Sequence, residues 1–220
     1  IFDFDGLILD TELAEFQTWQ WIYKTHQVQF PMQEWLSTIG ISESTFDIYK
    51  HLEKEMFQKI NRDEVYKQRD NHLNQMLAAQ PVMPGVKELV LEAHQAGIKL
   101  AVASGASYQW VSSNLKRLGI FDYFNGVHTR EEVPIGKPDP GVYLSALKNL
   151  GVNASEAVAF EDSPNGIKAA RGAGLFCIGV PNTLTKMLDT SQANIILSSI
   201  ADINLKKLSD IFIQQTAGII

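Results

Sequence analysis

The chain has 220 residues, of which 45% are hydrophobic, so it can form one large domain or two smaller ones. A formal net charge of −6 argues against a nucleic-acid-coating protein, and no run of about 18 apolar residues predicts a membrane span. The single cysteine excludes an internal disulfide and favours a reducing compartment, most simply the cytoplasm. There is no signal-peptide pattern, and the start at Ile1, without Met and inside an apolar run, leads us to expect preceding residues.

The first predicted element is a short buried strand at residues 1–6, which ends at a glycine. The pattern changes from about residue 11 to residue 79. In this block Gly40 is the only glycine, Pro31 is the only proline, and apolar residues recur at helical spacing. We therefore predict an all-helical block of roughly seventy residues.

Helices and strands alternate through the rest of the chain. Helices are predicted at residues 86–96, 107–118, 140–150 and 164–173, with one more at the end of the chain. Strands are predicted at residues 98–103, 127–129, 157–160, 176–180 and 194–197. This alternation predicts an α/β fold with a parallel sheet, built from residues 1–10 and 80–220, into which residues 11–79 are inserted.

Polar residues follow the ends of four predicted strands. In open α/β sheets, ligands bind outside the carboxyl ends of the strands, so these residues are the candidates for a site. Asp3 and Asp5 lie two residues apart, and their side chains therefore point the same way from an extended chain. The other three strand ends supply a hydroxyl, a lysine and two more carboxylates, at Ser104-Gly105, Lys137 and Glu161-Asp162.

Four carboxylates at one edge of a sheet repel each other unless a cation lies between them. Oxygen ligands of this kind are typical of Mg²⁺. Lys137 and the backbone N–H groups that begin the helix after Ser104 could hold an anion opposite the cation. Together these groups predict a site for phosphoryl transfer.

Four segments resemble the motifs of the haloacid dehalogenase superfamily of phosphatases. Residues 3–12 (DFDGLILDTE) resemble its first motif and residues 101–105 (AVASG) its second. Residues 136–140 (GKPDP) resemble the third motif and residues 160–166 (FEDSPNG) the fourth, in the order that the family has them. The resemblance implies a Rossmann-like core, with residues 11–79 as the family's small α-helical cap.

The resemblance also implies a role for each carboxylate. Asp3 would be the nucleophile that forms an aspartyl-phosphate, and Asp5 would be the general acid and base. Mg²⁺ would be held by the Asp3 carboxylate, the backbone carbonyl of Asp5 and Asp162. Whether Glu161 binds the metal directly or through water stays open.

The remaining motif residues would bind the phosphoryl group that is transferred. The resemblance assigns its oxygens to Ser104, the N–H of Gly105 and Lys137. Lys137 would also pair with Asp3 and keep that carboxylate ionised.

The predicted function is a Mg²⁺-dependent phosphatase that acts on a small phosphorylated metabolite such as a sugar phosphate. We expect no nucleic-acid or membrane partner, and a monomer. The main alternative is a phosphoglucomutase-type isomerase of the same superfamily. Glu15 and Glu43 stand where the resemblance would call for a histidine and an arginine, and negative charges there would repel a second phosphate.

Two further alternatives fit the sequence less well. The family's dehalogenases lack the second aspartate of the first motif, so Asp5 argues against dehalogenation. Phospho-acceptor signalling modules also gather carboxylates at a sheet edge. They are shorter, have no cap and place their acceptor on a later strand.

Overall fold

Helices are the regular elements in the described part of residues 11–79. The structure is a computed structural model, and it describes residues 1–39 and 46–217. The helices of the block are α1 (Thr11–Thr25), α2 (Met32–Leu36), α3 (Ile48–Glu55) and α4 (Arg62–Ala78). Glu43, one of the two residues that weigh against a mutase, lies outside the described residues.

Side-chain caps account for where three of these helices begin. The Asp10 carboxylate accepts from the backbone N–H of Leu13 at 3.3 Å and so caps α1. Asp47 caps α3 and Asn61 caps α4 in the same way. An acceptor at this position satisfies an N–H group that has no partner within the helix.

The rest of the chain alternates between helices and strands, as predicted. The strands are β1 (Ala101–Ala103), β2 (Gly126–His128), β3 (Val158–Glu161), β4 (Phe176–Gly179) and β5 (Ile195–Ile196). The helices are α5 (Val86–Gln95), α6 (Tyr108–Arg117), α7 (Gly141–Leu150), α8 (Pro164–Gly172) and α9 (Leu205–Ala217).

The first four residues lie in the middle of the parallel sheet. Phe2 forms parallel bridges to Val102 on one side and to Phe160 on the other. On the outer sides, β1 pairs with β2, while β3 pairs with β4 and β4 with β5, all of them parallel. The order across the sheet is therefore β2, β1, residues 1–4, β3, β4 and β5, which confirms the predicted α/β fold.

Four predicted strands are shorter than expected, namely those at 1–6, 98–103, 176–180 and 194–197, and hydrogen bonds explain the first two. The strand predicted at 98–103 starts only at Ala101, because the N–H of Ile98 bonds to Ala93 and that of Leu100 bonds to the Asn125 side chain. The strand predicted at 1–6 ends after Phe4, whose carbonyl accepts from residues in the following turn. In both cases the hydrogen bonds that would extend the ladder go to other partners.

The two faces of the sheet have different side chains. The face toward α5, α6 and α9 carries large residues, among them Phe2, Val102 and Ile178. The face toward α7 and α8 carries small ones, among them Ala101 and Ala159. Successive residues of a strand point to opposite faces, so one short strand supplies both cores of this three-layer fold.

The helical block has a hydrophobic cluster of its own, which includes Trp19, Tyr23 and Leu52. It also contacts the sheet region, because Ala14 of α1 and Leu73 of α4 belong to the cluster on the α5 face. No helix of the described residues is both long and apolar enough to cross a membrane.

Candidate active site

The predicted site residues meet at the carboxyl edge of the sheet. A cavity of about 490 Å³ lies between this edge and the helical block. Its wall contains five of the seven predicted residues, namely Asp3, Asp5, Gly105, Lys137 and Asp162. The other two, Ser104 and Glu161, are fully buried and do not line the cavity.

Lys137 is the central cation of the site. Its ammonium group donates to Asp3 Oδ1 at 2.7 Å, to Glu161 Oε1 at 2.7 Å and to the backbone carbonyl of Ala103 at 3.0 Å. A lysine has three N–H donors, so all of them are in use. A phosphoryl oxygen that binds Lys137 must therefore replace one of these acceptors.

Glu161 is held by donors at both of its carboxylate oxygens. The buried hydroxyl of Tyr143 donates to Oε1 at 2.6 Å, beside the bond from Lys137. The backbone N–H of Asp162 donates to Oε2 at 3.1 Å. Lys137 Nζ also lies 5.1 Å from the centre of the Tyr143 ring, within the range of a cation–π contact.

Asp162 is placed against the turn that follows residues 1–4. Asn182 donates from Nδ2 to Asp162 Oδ2 at 2.7 Å and to the backbone carbonyl of Gly6 at 3.2 Å. Gly6 has φ +78°, and a Cβ on it would lie 2.4 Å from Asp162 Oδ2. Only glycine allows this approach, which brings Asp162 beside Asp3.

Asp5 lines the same cavity, and each of its oxygens has a partner. The indole Nε1 of Trp110 donates to Oδ1 at 3.0 Å, and the Ser104 hydroxyl donates to Oδ2 at 3.3 Å. Ser104 Oγ in turn accepts from the backbone N–H of Ala106 at 3.0 Å. Ser104 is thus bonded to Asp5 and to its own loop.

Burial dominates the electrostatics of the carboxylates. Burial and then Glu161 raise the pKa of Asp3 to about 7, although Lys137 acts in the opposite direction. Burial and then Asp3 raise the pKa of Asp162 well above its usual range. Lys137 stays charged, because Asp3 and Glu161 raise its pKa despite burial, which alone would lower it. The lysine alone does not keep Asp3 fully ionised.

The donor set fits Mg²⁺. Oxygen atoms of Asp3, Glu161 and Asp162 lie within 4.8 Å of one another, and all three residues are buried. Three carboxylates face one lysine here, and burial first, then the neighbouring carboxylates, raise the pKa values of Asp3 and Asp162. A hard divalent cation with oxygen ligands would supply the missing charge.

The charged residues that the described part of the helical block contributes to the cavity wall are mostly acidic. They are Glu12, Glu15 and Asp70, together with one cation, Arg69. Arg69 Nε donates to Glu15 Oε1 at 3.1 Å, so this cation is paired within the wall. Burial and then Asp5 raise the pKa of Glu12 to about 8.

Four residues of the site were not predicted from the sequence: Tyr143, Asn182, Trp110 and Arg69. Asn182 could have been found, because it follows the carboxyl end of β4 as the other site residues follow their strands. The other three lie on helices, where the sequence shows only helical spacing.

The chain is similar to known proteins over most of its length. YhcW of Bacillus subtilis, a protein named provisionally as a phosphatase, is 39% identical over 96% of this chain and 95% of its own. The β-phosphoglucomutase of the same organism is 33% identical over 82% of this chain and 81% of its own.

A solved structure has the same fold. CbbY from Rhodobacter sphaeroides, crystallised with phosphate, superposes with a TM-score of 0.73 at 27% identity, covering 94% of this chain and 97% of that one. Residues 1–180 match the sequence profile of the haloacid dehalogenase-like hydrolases. The profile match and the similarity to its relatives show that the chain belongs to the haloacid dehalogenase-like hydrolases.

Proposed function

We propose that the chain is a cytoplasmic, Mg²⁺-dependent phosphatase that hydrolyses a small phosphorylated metabolite, a sugar phosphate or a similar compound. The observation that carries this proposal is the position of Asp3, which lines the cavity, is bonded to Lys137 and lies within the cluster of carboxylates. The phosphatase named among its relatives supports the reaction class.

The reaction proceeds in two steps through Asp3. In the first, a carboxylate oxygen of Asp3 forms a bond to phosphorus while the bond between phosphorus and the leaving oxygen breaks. Asp5 gives its proton to that leaving oxygen. In the second step, Asp5 takes a proton from water as the water attacks phosphorus, and the phosphate leaves Asp3.

The metal would be held by the Asp3 carboxylate, the backbone carbonyl of Asp5 and Asp162. Bound there, Mg²⁺ supplies positive charge to the phosphoryl oxygens in the transition state. Glu161 has a different role in this proposal. Its two oxygens already accept from Lys137, Tyr143 and the Asp162 N–H, and it lies behind the cavity wall, so it anchors Lys137.

The transferred phosphoryl group would be bound by Ser104, the N–H of Gly105 and Lys137. Gly105 and Lys137 line the cavity, which supports this assignment. Lys137 would exchange one of its present acceptors for a phosphoryl oxygen. Ser104, which lies behind the wall, would contribute after its bond to Asp5 is released.

Residues 11–79 would form a cap over a core made of residues 1–10 and 80–220. The separate hydrophobic cluster of the block supports this division. So does the cavity, which lies between the block and the edge of the sheet and takes side chains from both.

The alternative is a phosphoglucomutase-type isomerase, the activity named for one of the relatives. A mutase must hold a second phosphate on the side of the cap. Here the described cap wall carries Glu12, Glu15 and Asp70, and its cation Arg69 is paired with Glu15. Such a wall suits hydroxyl groups better than a second dianion.

A phosphate-release screen tests the proposed function. The protein would be incubated with a panel of hexose and pentose monophosphates, in Mg²⁺ and in excess chelator. We expect release that requires Mg²⁺, and full activity in chelator would contradict the metal role.

A coupled assay with glucose-6-phosphate dehydrogenase on β-glucose 1-phosphate, primed with the bisphosphate, tests the alternative. Isomerisation faster than phosphate release would favour the mutase.

A further inference from the structure

Trp110 has a fixed place beside the acid/base. It lies in the first turn of α6, where its backbone N–H donates to the N-cap residue Ser107 at 3.3 Å. Its indole N–H donates to Asp5 Oδ1 at 3.0 Å, and both side chains line the cavity. The ring therefore holds Asp5 through Oδ1 at the wall of the cavity.

The two oxygens of Asp5 have partners of different chemistry. An indole N–H can only donate, so Oδ1 acts as an acceptor for as long as its bond to Trp110 is intact. The Ser104 hydroxyl, 3.3 Å from Oδ2, can either donate or accept. A proton can therefore sit on Oδ2, where the Ser104 hydroxyl can accept from it. A proton on Oδ1 would face the indole N–H of Trp110, which is also a donor.

We propose that Trp110 is a positioning residue that holds Asp5 by Oδ1 and so assigns the transferable proton to Oδ2. This role rests on the proposed function, in which Asp5 is the acid and base. The proton leaves Asp5 Oδ2 for the departing oxygen as the bond between that oxygen and phosphorus breaks. In the second step Oδ2 takes a proton back from the attacking water. The indole N–H keeps its proton throughout.

The test is the dependence of the rate on the leaving group, measured for the Trp110→Phe variant. Phenyl phosphate and p-nitrophenyl phosphate have similar shapes, but nitrophenolate departs without a proton and phenolate needs one. The value of kcat/KM reports the steps up to loss of the leaving group. It therefore includes the donation of a proton by Asp5 and excludes the later attack by water. We expect kcat/KM to fall about tenfold on phenyl phosphate and less than about twofold on p-nitrophenyl phosphate, since a hydrogen bond to a charged group is lost.

Two controls separate this role from packing. Trp21→Phe makes the same change at a residue that stacks on His72 in the helical block. In this variant the ratio of kcat/KM on phenyl phosphate to kcat/KM on p-nitrophenyl phosphate should equal that of the wild type. If Trp110→Phe does not fold, the benzothiophene analogue of tryptophan at position 110 replaces only the N–H by sulfur. The same ratio is then measured on that protein.

The outcomes distinguish this role from the proposed function. An equal fall on both substrates, or no fall on either, would overturn the role of Trp110 while leaving a phosphatase. Wild-type protein that releases phosphate from neither ester, nor from any monophosphate of the screen, would overturn the proposed function and this role together.

Discussion

In the proposed reaction Asp3 must be ionised, although it is buried. Burial raises its pKa to about 7, and the bond from Lys137 only partly offsets this effect. The site is therefore short of one cation, as expected for a carboxylate that works beside a metal.

Replacement of the nucleophile gives the first prediction. Asp3→Asn keeps the size of the side chain but removes its ability to form an acyl-phosphate, so turnover should fall at least about a hundredfold. Phosphate release and melting temperature would be measured together. Asp210→Asn, on the exposed surface of α9, is the matched control and should keep wild-type activity. A variant at Asp3 that retained more than about a tenth of the wild-type rate would exclude covalent catalysis there.

The second prediction concerns pH and the metal. The pKa of Asp3 is about 7 in the folded chain, against the ordinary 3.8, so between these values the folded state binds more protons than the unfolded one. In the metal-free protein, the contribution of Asp3 to the free energy of unfolding therefore decreases as the pH rises through that window. Mg²⁺ competes with the same proton, and its affinity should fall by up to about tenfold for each pH unit below about 7.

Melting temperatures with Mg²⁺ and with chelator measure this competition. The increase caused by Mg²⁺ should be larger at about pH 8 than at about pH 5.5, in buffers of equal ionic strength. Potassium chloride at the same ionic strength is the control for screening. An increase of the same size at both pH values would show that the metal does not displace a proton from this cluster.

At the scale of elements, the small residues of the sheet determine how closely α7 and α8 pack. Ala159 is fully buried on that face, next to Tyr143 and Ile167 of the two helices in the same cluster. The Tyr143 hydroxyl must reach Glu161 at the end of the same strand. The packing of α7 on the sheet thus sets where the Tyr143 hydroxyl meets Glu161.

The third prediction follows from this packing. Ala159→Leu adds volume where no space is available and should lower the free energy of unfolding by about 1–3 kcal/mol. Denaturant titration measures the change. Ala78→Leu makes the same substitution at the exposed end of α4 and should alter stability much less. Equal stability of the two variants would show that this face can accommodate a larger side chain.

At the scale of the whole molecule, two connections join the helical block to the core. One runs through residues 10–13 directly beside Asp5, and the other through residues 80–84. At the second connection, Arg117 of α6 donates to the backbone carbonyls of Ala78 and Gln80. A block that two chain connections join to the core can rotate as a unit, provided that its packing contacts with the core, such as those of Ala14 and Leu73, shift with it.

The fourth prediction is that residues 11–79 rotate against the core when the site is occupied. Closure would exclude water during transfer, and opening would admit the substrate. Crystal structures or solution scattering with Mg²⁺, in the presence and absence of orthovanadate, would measure the rotation. An identical arrangement in both states, with vanadate visibly bound, would argue against a moving cap.

The sequence by itself determined the order of the strands along the chain, the parallel sheet and the edge where the candidate site residues meet. These follow from local information, since apolar runs and the polar residues after them mark each strand end. It did not determine where the strand at 98–103 begins, because that depends on Asn125, a residue from another element.

Only the tertiary structure decided which groups complete the site. Trp110 is 105 residues from Asp5 in the sequence, and Asn182 is 20 residues from Asp162 and 176 from Gly6. A residue on a helix gives no local sign of the partner that the fold brings to it. The sequence could therefore supply the carboxylates and the lysine, while the contacts that orient them depend on how helices pack on the sheet.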